Sequence, residues 1–276
     1  MKDKKIIIFG AAGSIGSELY RQLAPRNTVL AVDINETDLF DLHEESAQKG
    51  YAVSFRIGDV RDRQTVAEVF EQMPVPDLVF HCAALKHVYP NELFPVEAVK
   101  TNVLGTLNVI QEAKRLGVKK LVYISTDKVI NSYSVMGVSK KLGELIARNA
   151  GYVAVRFGNV LGSRGSVLPI WEKQVARGEP ITLTDVKAER YFMSIQEACE
   201  LVIEAATVGE PGQTLVMDMG EKKNMYEFAK QFLRERGLSE DKITLIGLRK
   251  GETLSEEIMT SEEQKSAIKK GKFYII

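Results

Sequence analysis

Short apolar runs alternate with amphipathic segments of helical length through the first 160 residues of the chain. Six runs have the composition of strands buried on both faces, at residues 6–9, 29–32, 53–57, 78–80, 121–124 and 153–157. Five segments between them have helical periodicity, at residues 14–23, 36–48, 63–72, 95–116 and 135–149. Because strand–helix–strand units connect with a right-handed crossover, this alternation predicts an α/β fold with a doubly wound (Rossmann) parallel sheet.

Beyond about residue 160 the alternation loosens. A glycine-rich loop spans residues 158–165, and the following sequence mixes short strands with helices, of which two are predicted at 195–208 and 225–236. We expect residues 1–160 to form the Rossmann domain. Residues 161–276 are expected to form a smaller C-terminal lobe, partly interwoven with it.

The composition argues against several classes of protein. Lys plus Arg and Asp plus Glu both number 37, so the net charge is zero and a nucleic-acid binder is not expected. No apolar run approaches the ~20 residues of a membrane span, and the first five residues lead directly into a strand rather than a signal peptide. We therefore expect a cytoplasmic protein without a membrane partner. Cys82 and Cys199 fit no metal-ligand spacing, so no metal site is expected.

A glycine-rich turn separates the first predicted strand from the first helix. Gly10, Gly13 and Gly16 are spaced three residues apart, and Ser14 and Ile15 begin the helix. Glycine allows a tight turn and a close approach of the backbone to a pyrophosphate, while the helix N-terminus supplies N–H donors and the positive end of the helix dipole. The turn therefore predicts a dinucleotide-binding site.

Residues after the next strands extend this site. Asp33 ends the second strand, where its carboxylate would accept hydrogen bonds from both adenosine ribose hydroxyls and repel a 2′-phosphate, which favours NAD over NADP. Asp59 and Val60 follow the third strand and are expected to meet the adenine ring. Ala83 and Ala84 follow the fourth strand and suit a chain that lies under the cofactor.

A hydroxyl, a carboxylate and an amine follow the fifth strand as Thr126, Asp127 and Lys128. In a sheet of this kind they face the nicotinamide end of the crevice, so we take them as catalytic candidates, with a solvated surface ion pair as the alternative. Lys140 lies on the next helix, where it can bind the nicotinamide ribose. Met136 precedes it by one turn on the same face, as an active-site wall or as ordinary core.

Candidate substrate-binding residues are scattered through the rest of the chain. Guanidinium groups suit a diphosphate and a carboxylate suits a ribose diol. For each arginine and for the glutamate, the alternative is a solvated surface position. For Lys86 and His87, which follow the fourth strand, the alternative is an ordinary polar loop. The candidates are Lys86, His87, Asn159, Arg164, Arg190, Arg249 and Glu252. Asn102 is expected to bridge a helix and a strand through its side-chain amide.

Together these motifs resemble the nucleotide-sugar branch of the extended short-chain dehydrogenases, and most of all the polysaccharide-biosynthesis UDP-N-acetylglucosamine 4,6-dehydratases. The most specific part is Ser-Thr-Asp-Lys at 125–128 paired with Met-Gly-x-Ser-Lys at 136–140. It resembles the subgroup with methionine in place of the catalytic tyrosine of Tyr-x-x-x-Lys. That subgroup is usually the tail of a membrane-anchored protein, whereas here we expect a soluble form.

The resemblance implies an NAD-binding first domain, a nucleotide-sugar-binding second lobe and a homo-oligomer acting on UDP-N-acetylglucosamine. The implied reaction is oxidation at C4, loss of water across C5 and C6, and return of the hydride to C6, with retention at C5. By analogy Lys128 is the C5 base and Asp127 the acid for O6. A lysine base would need a lowered pKa, which we expect from burial or from nearby cations such as Lys140.

Two alternatives remain open at this point. An NAD-dependent 4-epimerase or reductase needs only C4 chemistry, which leaves Asp127 beside Lys128 unexplained. A non-catalytic regulator that binds NAD or a nucleotide sugar is consistent with the missing tyrosine, but not with the preserved Asp127, Lys128 and Lys140.

Overall fold

Strands and helices alternate up to residue 156 in the computed structural model, which describes residues 1–52, 54–73 and 75–276. The strands of this part are β1 (Lys5–Phe9), β2 (Thr28–Asp33), β3 (Ser54–Ile57), β4 (Leu78–His81), β5 (Leu121–Ile124) and β6 (Val153–Arg156). They agree with the six predicted strands to within two residues at either end. Val53, the predicted start of the third strand, lies outside the described residues.

The helices of the same part follow the prediction with two exceptions, an additional short helix at Val88–Leu93 and an interruption of the helix predicted at 95–116. They are α1 (Ser14–Leu23), α2 (Glu36–Gln48), α3 (Arg63–Gln72), α4 (Val88–Leu93), α5 (Pro95–Ala98), α6 (Thr106–Arg115) and α7 (Val135–Asn149). The continuous helix predicted at 95–116 is wrong, because a π-helical stretch at Val99–Gly105 separates α5 from α6.

Tertiary contacts accompany this π-helical stretch, and local periodicity does not encode them. The Asn102 amide donates to the carbonyl of Leu85 and accepts from its N–H at 3.0 and 2.8 Å, so the bridge joins this stretch to the loop after β4 rather than to a strand. At Gly105 a Cβ atom would lie only 2.7 Å from Val60. π-Helical stretches are often found at functional sites, and this one ties the chain after β4 to α6.

The C-terminal part of the chain contributes to the same sheet. Its elements are β7 (Asn159–Val160), α8 (Val167–Ala176), β8 (Ile181–Leu183), β9 (Glu189–Arg190), β10 (Phe192–Met193), α9 (Ile195–Val208), β11 (Thr214–Met217), β12 (Lys223–Asn224), α10 (Met225–Arg234), β13 (Ile243–Leu245), α11 (Ser261–Ser266), β14 (Ile268–Lys270) and β15 (Phe273–Ile275). The predicted helix 225–236 ends two residues early, in a turn that reaches Gly237 with φ +67°.

Within the described residues the main sheet has nine strands in the order β14-β15-β11-β6-β5-β4-β1-β2-β3. The seven strands from β11 to β3 are parallel to one another. Strand β15 is antiparallel to both of its neighbours, β11 and β14. The doubly wound α/β fold is thereby confirmed. In such a sheet, ligands bind in the crevice at the carboxyl ends of the strands, where the order reverses between β1 and β4.

Apolar side chains cover both faces of the sheet. One core lies between the sheet and α1, α2 and α9, and a second lies between the sheet and α3, α6 and α7. A third cluster, around Trp171 and Phe232, joins α8, β8 and α10 away from the sheet. Because β11, β14 and β15 complete the main sheet, a division at residue 160 into two interwoven parts stays a proposal. Among the described residues, no helix is long and apolar enough to cross a bilayer.

Candidate active site

The glycine turn between β1 and α1 brings the backbone very close to the chain that follows β4. Gly10 has φ +78°, and a Cβ atom there would overlap the backbone of Ala83. A Cβ atom on Gly16 would overlap the carbonyl of Gly10. Gly13 is the N-cap residue of α1 and has no side chain to cap the N–H groups of Ser14 and Ile15. These donors therefore suit the pyrophosphate of a dinucleotide.

Asp33 lies beside this turn, at the end of β2. Its two carboxylate oxygens accept from the N–H groups of Ala12 and Asn35, both at 2.9 Å. Each oxygen keeps a second lone pair, so the carboxylate can still accept from ribose hydroxyls. The position fits the predicted contact with the adenosine ribose, and the pyrophosphate and adenosine half of a dinucleotide therefore fits the residues present.

The residues expected near the adenine and under the cofactor occupy two different settings. Asp59 forms an ion pair with Arg61 at 2.7 Å, and Val60 is buried against the π-helical stretch at Gly105. Ala83 and Ala84 follow β4, and Ala83 contacts the glycine turn through its backbone. Ala83 is therefore in contact with the predicted phosphate site.

Lys128 lies at the centre of a polar cluster at the carboxyl end of β5. Its Nζ is 3.1 Å from Oδ1 of Asp127 and 3.1 Å from Oδ1 of Asn159. A third contact reaches Oε1 of Glu256 at 3.0 Å. Thr126 donates its hydroxyl to Oδ1 of Asp127 at 2.8 Å. The structure thus joins four of the predicted site residues and adds one, Glu256, that the sequence analysis missed.

Burial and charge shift the pKa values in this cluster in opposite directions. Burial, reinforced by Glu256, raises the pKa of Asp127 to about 6 against the attraction of Lys128. Burial alone would lower the pKa of Lys128, but Asp127 and Glu256 outweigh it and raise it. The predicted lowering of the Lys128 pKa is therefore wrong for this state, because a second carboxylate faces the ammonium. Asp127 can gain or lose a proton near neutral pH.

Lys140 is buried on α7 and contacts residues of β5 rather than the Lys128 cluster. Its Nζ donates to the carbonyl of Ile124 and lies 4.2 Å from the centre of the Tyr123 ring. Burial lowers the pKa of Lys140 to about 7. Met136 lies one turn earlier on α7 and is also buried. Both side chains are in the predicted register, although Lys140 is not among the groups that shift the pKa of Lys128.

Arg190 contacts the C-terminal segment, and its predicted contact with a diphosphate stays a prediction. Its guanidinium donates to the carbonyls of Thr253 and Leu254 at 2.6 and 3.0 Å, and its Nε is 3.3 Å from Oε1 of Glu256. Most of its donors are engaged by this segment and by its own neighbour Glu189. Arg190 therefore holds Glu256 against the Lys128 cluster.

Arg164 lies over the glycine turn between β1 and α1, which is called the cofactor turn below. Its backbone N–H donates to Oγ of Ser14 at 3.0 Å, and its side chain pairs with Asp38 on α2. Lys86 donates to Oγ of Ser163 in the same loop at 3.4 Å. Burial, together with the charges of Arg164 and Lys128, lowers the pKa of Lys86. Lys86 therefore contacts the loop of Arg164 and is close enough to the Lys128 cluster to be affected by its charge.

The remaining predicted substrate residues lie in two loops. The ring of His87 occupies the space beside Gly165, and burial lowers the pKa of this histidine. Arg249 donates its backbone N–H to Oε2 of Glu252 at 3.0 Å, which closes a turn. Among the described residues, the polar contacts of Arg249 and Glu252 do not include the Lys128 cluster, so their substrate role stays a prediction.

A buried ion network anchors the segment that carries Glu256. The guanidinium of Arg156 on β6 contacts Glu144 of α7 and Glu263 of α11, each at 2.7 Å. It also donates to the carbonyl of Ile258 at 3.1 Å. Ser125, next to the candidate catalytic residues, donates to Glu144 at 2.5 Å. The network therefore ties the end of β5 and the C-terminal segment to one another.

Comparison with known proteins agrees with this architecture. A family model described as polysaccharide biosynthesis protein matches residues 6–276. The chain is 39% identical over 278 residues to the capsular polysaccharide biosynthesis protein CapD of Staphylococcus aureus, covering 95% of this chain and 46% of that protein. It is 34% identical over 289 residues to a UDP-glucose 4-epimerase of Rickettsia prowazekii, covering 99% and 83%. The chain thus spans about half the length of the Staphylococcus relative.

Two solved structures have the same fold. The structure of Pen from Bacillus thuringiensis has a TM-score of 0.94 and 34% identity, over 100% of this chain and 88% of that chain. A double mutant of a dTDP-glucose 4,6-dehydratase from Streptomyces venezuelae, solved with NAD bound, has a TM-score of 0.80 and 22% identity, over 95% and 90%. The likeness to the second structure establishes the fold alone.

Proposed function

Because the chain belongs to the polysaccharide biosynthesis protein family, we propose that it is an NAD-dependent nucleotide-sugar 4,6-dehydratase whose substrate is UDP-N-acetylglucosamine. The observation that carries the proposal is the pair of Asp127 and Lys128, a carboxylate and an amine 3.1 Å apart at the carboxyl end of β5. Elimination across C5 and C6 needs both an acid and a base, whereas simple C4 oxidation does not.

The cofactor is NAD. The turn at Gly10 and Gly16 holds its pyrophosphate, Asp33 accepts from its adenosine ribose, and Lys140 binds its nicotinamide ribose. When bound, NAD would supply a reversible hydride acceptor for oxidation at C4 and reduction at C6 of the sugar. The NAD-bound dehydratase of the same fold supports this assignment, as does the exclusion of a 2′-phosphate by the charge of Asp33.

The protein's own groups carry the protons. Ionised Asp127 accepts the proton of the C4 hydroxyl, and its pKa of about 6 allows it to hold that proton near neutral pH. The C4 ketone acidifies the C5 proton, which neutral Lys128 removes while protonated Asp127 gives its proton to O6, and O6 leaves as water. Lys128 then returns its proton to C5, and the net change is the loss of one water.

Lys128 must lose its own proton before it can act as a base. Asp127 and Glu256 raise its pKa in the absence of substrate, so binding of the sugar has to weaken these ion pairs. A single lysine that removes and returns the C5 proton from one side retains the C5 configuration, as expected of the methionine subgroup. The proposed first product is therefore the D-xylo sugar.

The test is to incubate the protein with UDP-N-acetylglucosamine and follow the sugar by NMR. The expected product has a 6-methyl signal and a 4-keto or hydrated carbon, and its early spectra show the D-xylo form. An early L-arabino product would contradict retention at C5. Turnover of UDP-glucose with none of the N-acetyl sugar would contradict the proposed substrate.

A second candidate is a UDP-sugar 4-epimerase, which is favoured by the 34% identity to the Rickettsia protein of that name. Such an enzyme needs only reversible C4 oxidation. It gives no task to a base at Lys128. The same NMR experiment separates the two, because an epimerase inverts C4 and leaves the C6 hydroxymethyl group unchanged. Binding without any change in the sugar would support the non-catalytic alternative.

The expected homo-oligomer also stays a proposal. Light scattering of the purified chain tests it directly, since a dimer or a larger assembly would have a multiple of the 30.8 kDa mass of one chain.

A further inference from the structure

We propose that Glu256 is a positioning residue of the active site, which clamps the Lys128 ammonium together with Asp127 and sets the proton affinity of Asp127. The inference rests on the proposed function for its catalytic consequence, because it assigns Asp127 the proton transfers at C4 and O6. Its structural part, the pairing of the two carboxyl groups around one lysine, does not depend on which sugar reacts.

The geometry of Glu256 is that of an enclosed ligand for Lys128. Its side chain is 7% exposed, and Oε1 is 3.0 Å from Nζ of Lys128 and 3.3 Å from Nε of Arg190. The other oxygen, Oε2, accepts from the amide of Asn159 at 3.2 Å. Asn159 uses its own carbonyl oxygen to accept from Lys128 at 3.1 Å. Glu256 is therefore fixed from three directions.

The two carboxylate oxygens of Asp127 have different surroundings. Oδ1 accepts from Thr126 and Lys128, but the buried Oδ2 has no hydrogen-bond partner among the described residues. The carboxyl groups of Asp127 and Glu256 both contact Nζ of Lys128, at 3.1 and 3.0 Å, and are therefore close neighbours. Because two neighbouring negative charges repel each other, the pKa of one of the two carboxyl groups is raised.

The charged groups around the pair decide which carboxyl takes the proton. Burial would raise the pKa of Glu256, but Lys128 and Arg190 lower it to about 2. Burial raises the pKa of Asp127, Lys128 lowers it and Glu256 opposes Lys128, and Tyr191 also faces Asp127. When the pair takes up a proton, Asp127 rather than Glu256 therefore holds it, and Asp127 is the residue that needs it for O6.

Replacing Glu256 with Gln keeps the shape of the side chain and removes its charge. Without the facing carboxylate, the pKa of Asp127 falls, so the acid limb of kcat/KM, expected near pH 6 in the wild type, moves about one pH unit or more to lower pH. We expect kcat for elimination to fall by about 10²-fold because Lys128 loses its clamp. Glu257→Gln is the matched control, since Glu257 is 51% exposed and pairs with Lys222 instead.

A titration without substrate separates the inference from the proposed function. Isotope-labelled carboxyl groups of the NAD-loaded protein are followed by NMR, and a signal that titrates near pH 6 should be absent in Asp127→Asn and move to lower pH in Glu256→Gln. If Glu256→Gln does not fold, the comparison of wild type with Asp127→Asn still decides whether such a carboxyl exists.

The outcomes are distinct. A titrating carboxyl that moves in Glu256→Gln, but not in Glu257→Gln, supports the inference even if the protein proves to be an epimerase. An Asp127 signal and an acid limb that are the same in both variants would overturn it. An acid limb that stays in place while kcat falls would also overturn it, because a merely structural role lowers the rate without moving the pH profile.

Discussion

The cofactor turn and the Lys128 cluster lie at the same edge of one sheet, but they are assembled over different lengths of chain. The turn needs Gly10, Gly16 and Asp33, all within the first strand–helix–strand unit. The cluster joins Lys128 to Asn159, 31 residues away, and Asn159 to Glu256, a further 97 residues away.

The difference explains why one site can be read from a motif and the other cannot. The turn binds through backbone N–H groups, so its chemistry depends only on whether a side chain would block them. The cluster works through side-chain charges, so each pKa depends on every neighbour. The pKa of Lys128 is raised rather than lowered, because Asp127 and Glu256 both face its ammonium, and the sequence does not show that Glu256 does so.

The largest expected effect comes from removing the centre of the cluster. Lys128→Ala should slow elimination by about 10²–10⁴-fold, the usual loss for a general base, while C4 oxidation continues and reduced cofactor accumulates. Exchange of C5 with deuterated solvent and the absorbance of NADH measure the two steps separately. Lys119→Ala, at an exposed lysine, is the control. Full turnover by Lys128→Ala would remove this residue from the mechanism.

Met136→Tyr tests whether the wall of the site can be rebuilt as Tyr-x-x-x-Lys. We expect the phenol to crowd the sugar, since overpacking a buried position costs about 1–3 kcal/mol, or roughly one to two decades in rate if it is felt in the transition state. Single-turnover formation of NADH measures it, and Met136→Leu, a volume-conserving change, should stay close to the wild type. A faster burst in Met136→Tyr would instead show that the proton transfer at C4 had not moved to Asp127.

The same contrast runs through the fold. The limits of α1, α2, α3, α7 and α9 follow from local periodicity and agree with the prediction to the residue. The π-helical stretch does not, because Asn102 is held there by Leu85 from another element. Strands β14 and β15 were likewise not predicted individually, since strands this short gain their stability from pairing across the sheet rather than from their own sequence.

The candidate site divides in the same way. Asp127, Lys128 and Asn159 were predicted and are in contact. No motif in the sequence marks Glu256, and its neighbour Glu257 carries the same charge. Which of the two faces inward depends on how Arg156 and Arg190 anchor the segment, and that contact spans too much chain for a motif to record.

Asp33 offers a test on the side of the cofactor, with a smaller effect. Asp33→Asn keeps an acceptor for the N–H of Ala12 but removes the charge, and adding Ile34→Arg supplies a partner for a 2′-phosphate. Hydrogen bonds to charged groups contribute about 1.5–3 kcal/mol, so the preference for NAD over NADP should shift by about tenfold or more. Calorimetry with both dinucleotides measures it. Tighter binding of NADP by the wild type would contradict the assignment of Asp33.

A substitution of Arg164 tests whether this residue belongs to the cofactor site or to the substrate site, and we expect the smallest effect from it. Its side chain is 54% exposed and pairs with Asp38 across the cofactor turn. Exposed ion pairs contribute about 0.2–1 kcal/mol, so Arg164→Ala should speed NAD dissociation by no more than about fivefold. Stopped-flow displacement of bound NADH measures the rate. If the ion pair carries the effect, Asp38→Asn should match it and the double variant should add nothing further. If Arg164→Ala instead raises KM for the sugar nucleotide and leaves the dissociation rate unchanged, Arg164 binds the substrate diphosphate, as its sequence first suggested, and the cofactor region ends at α1.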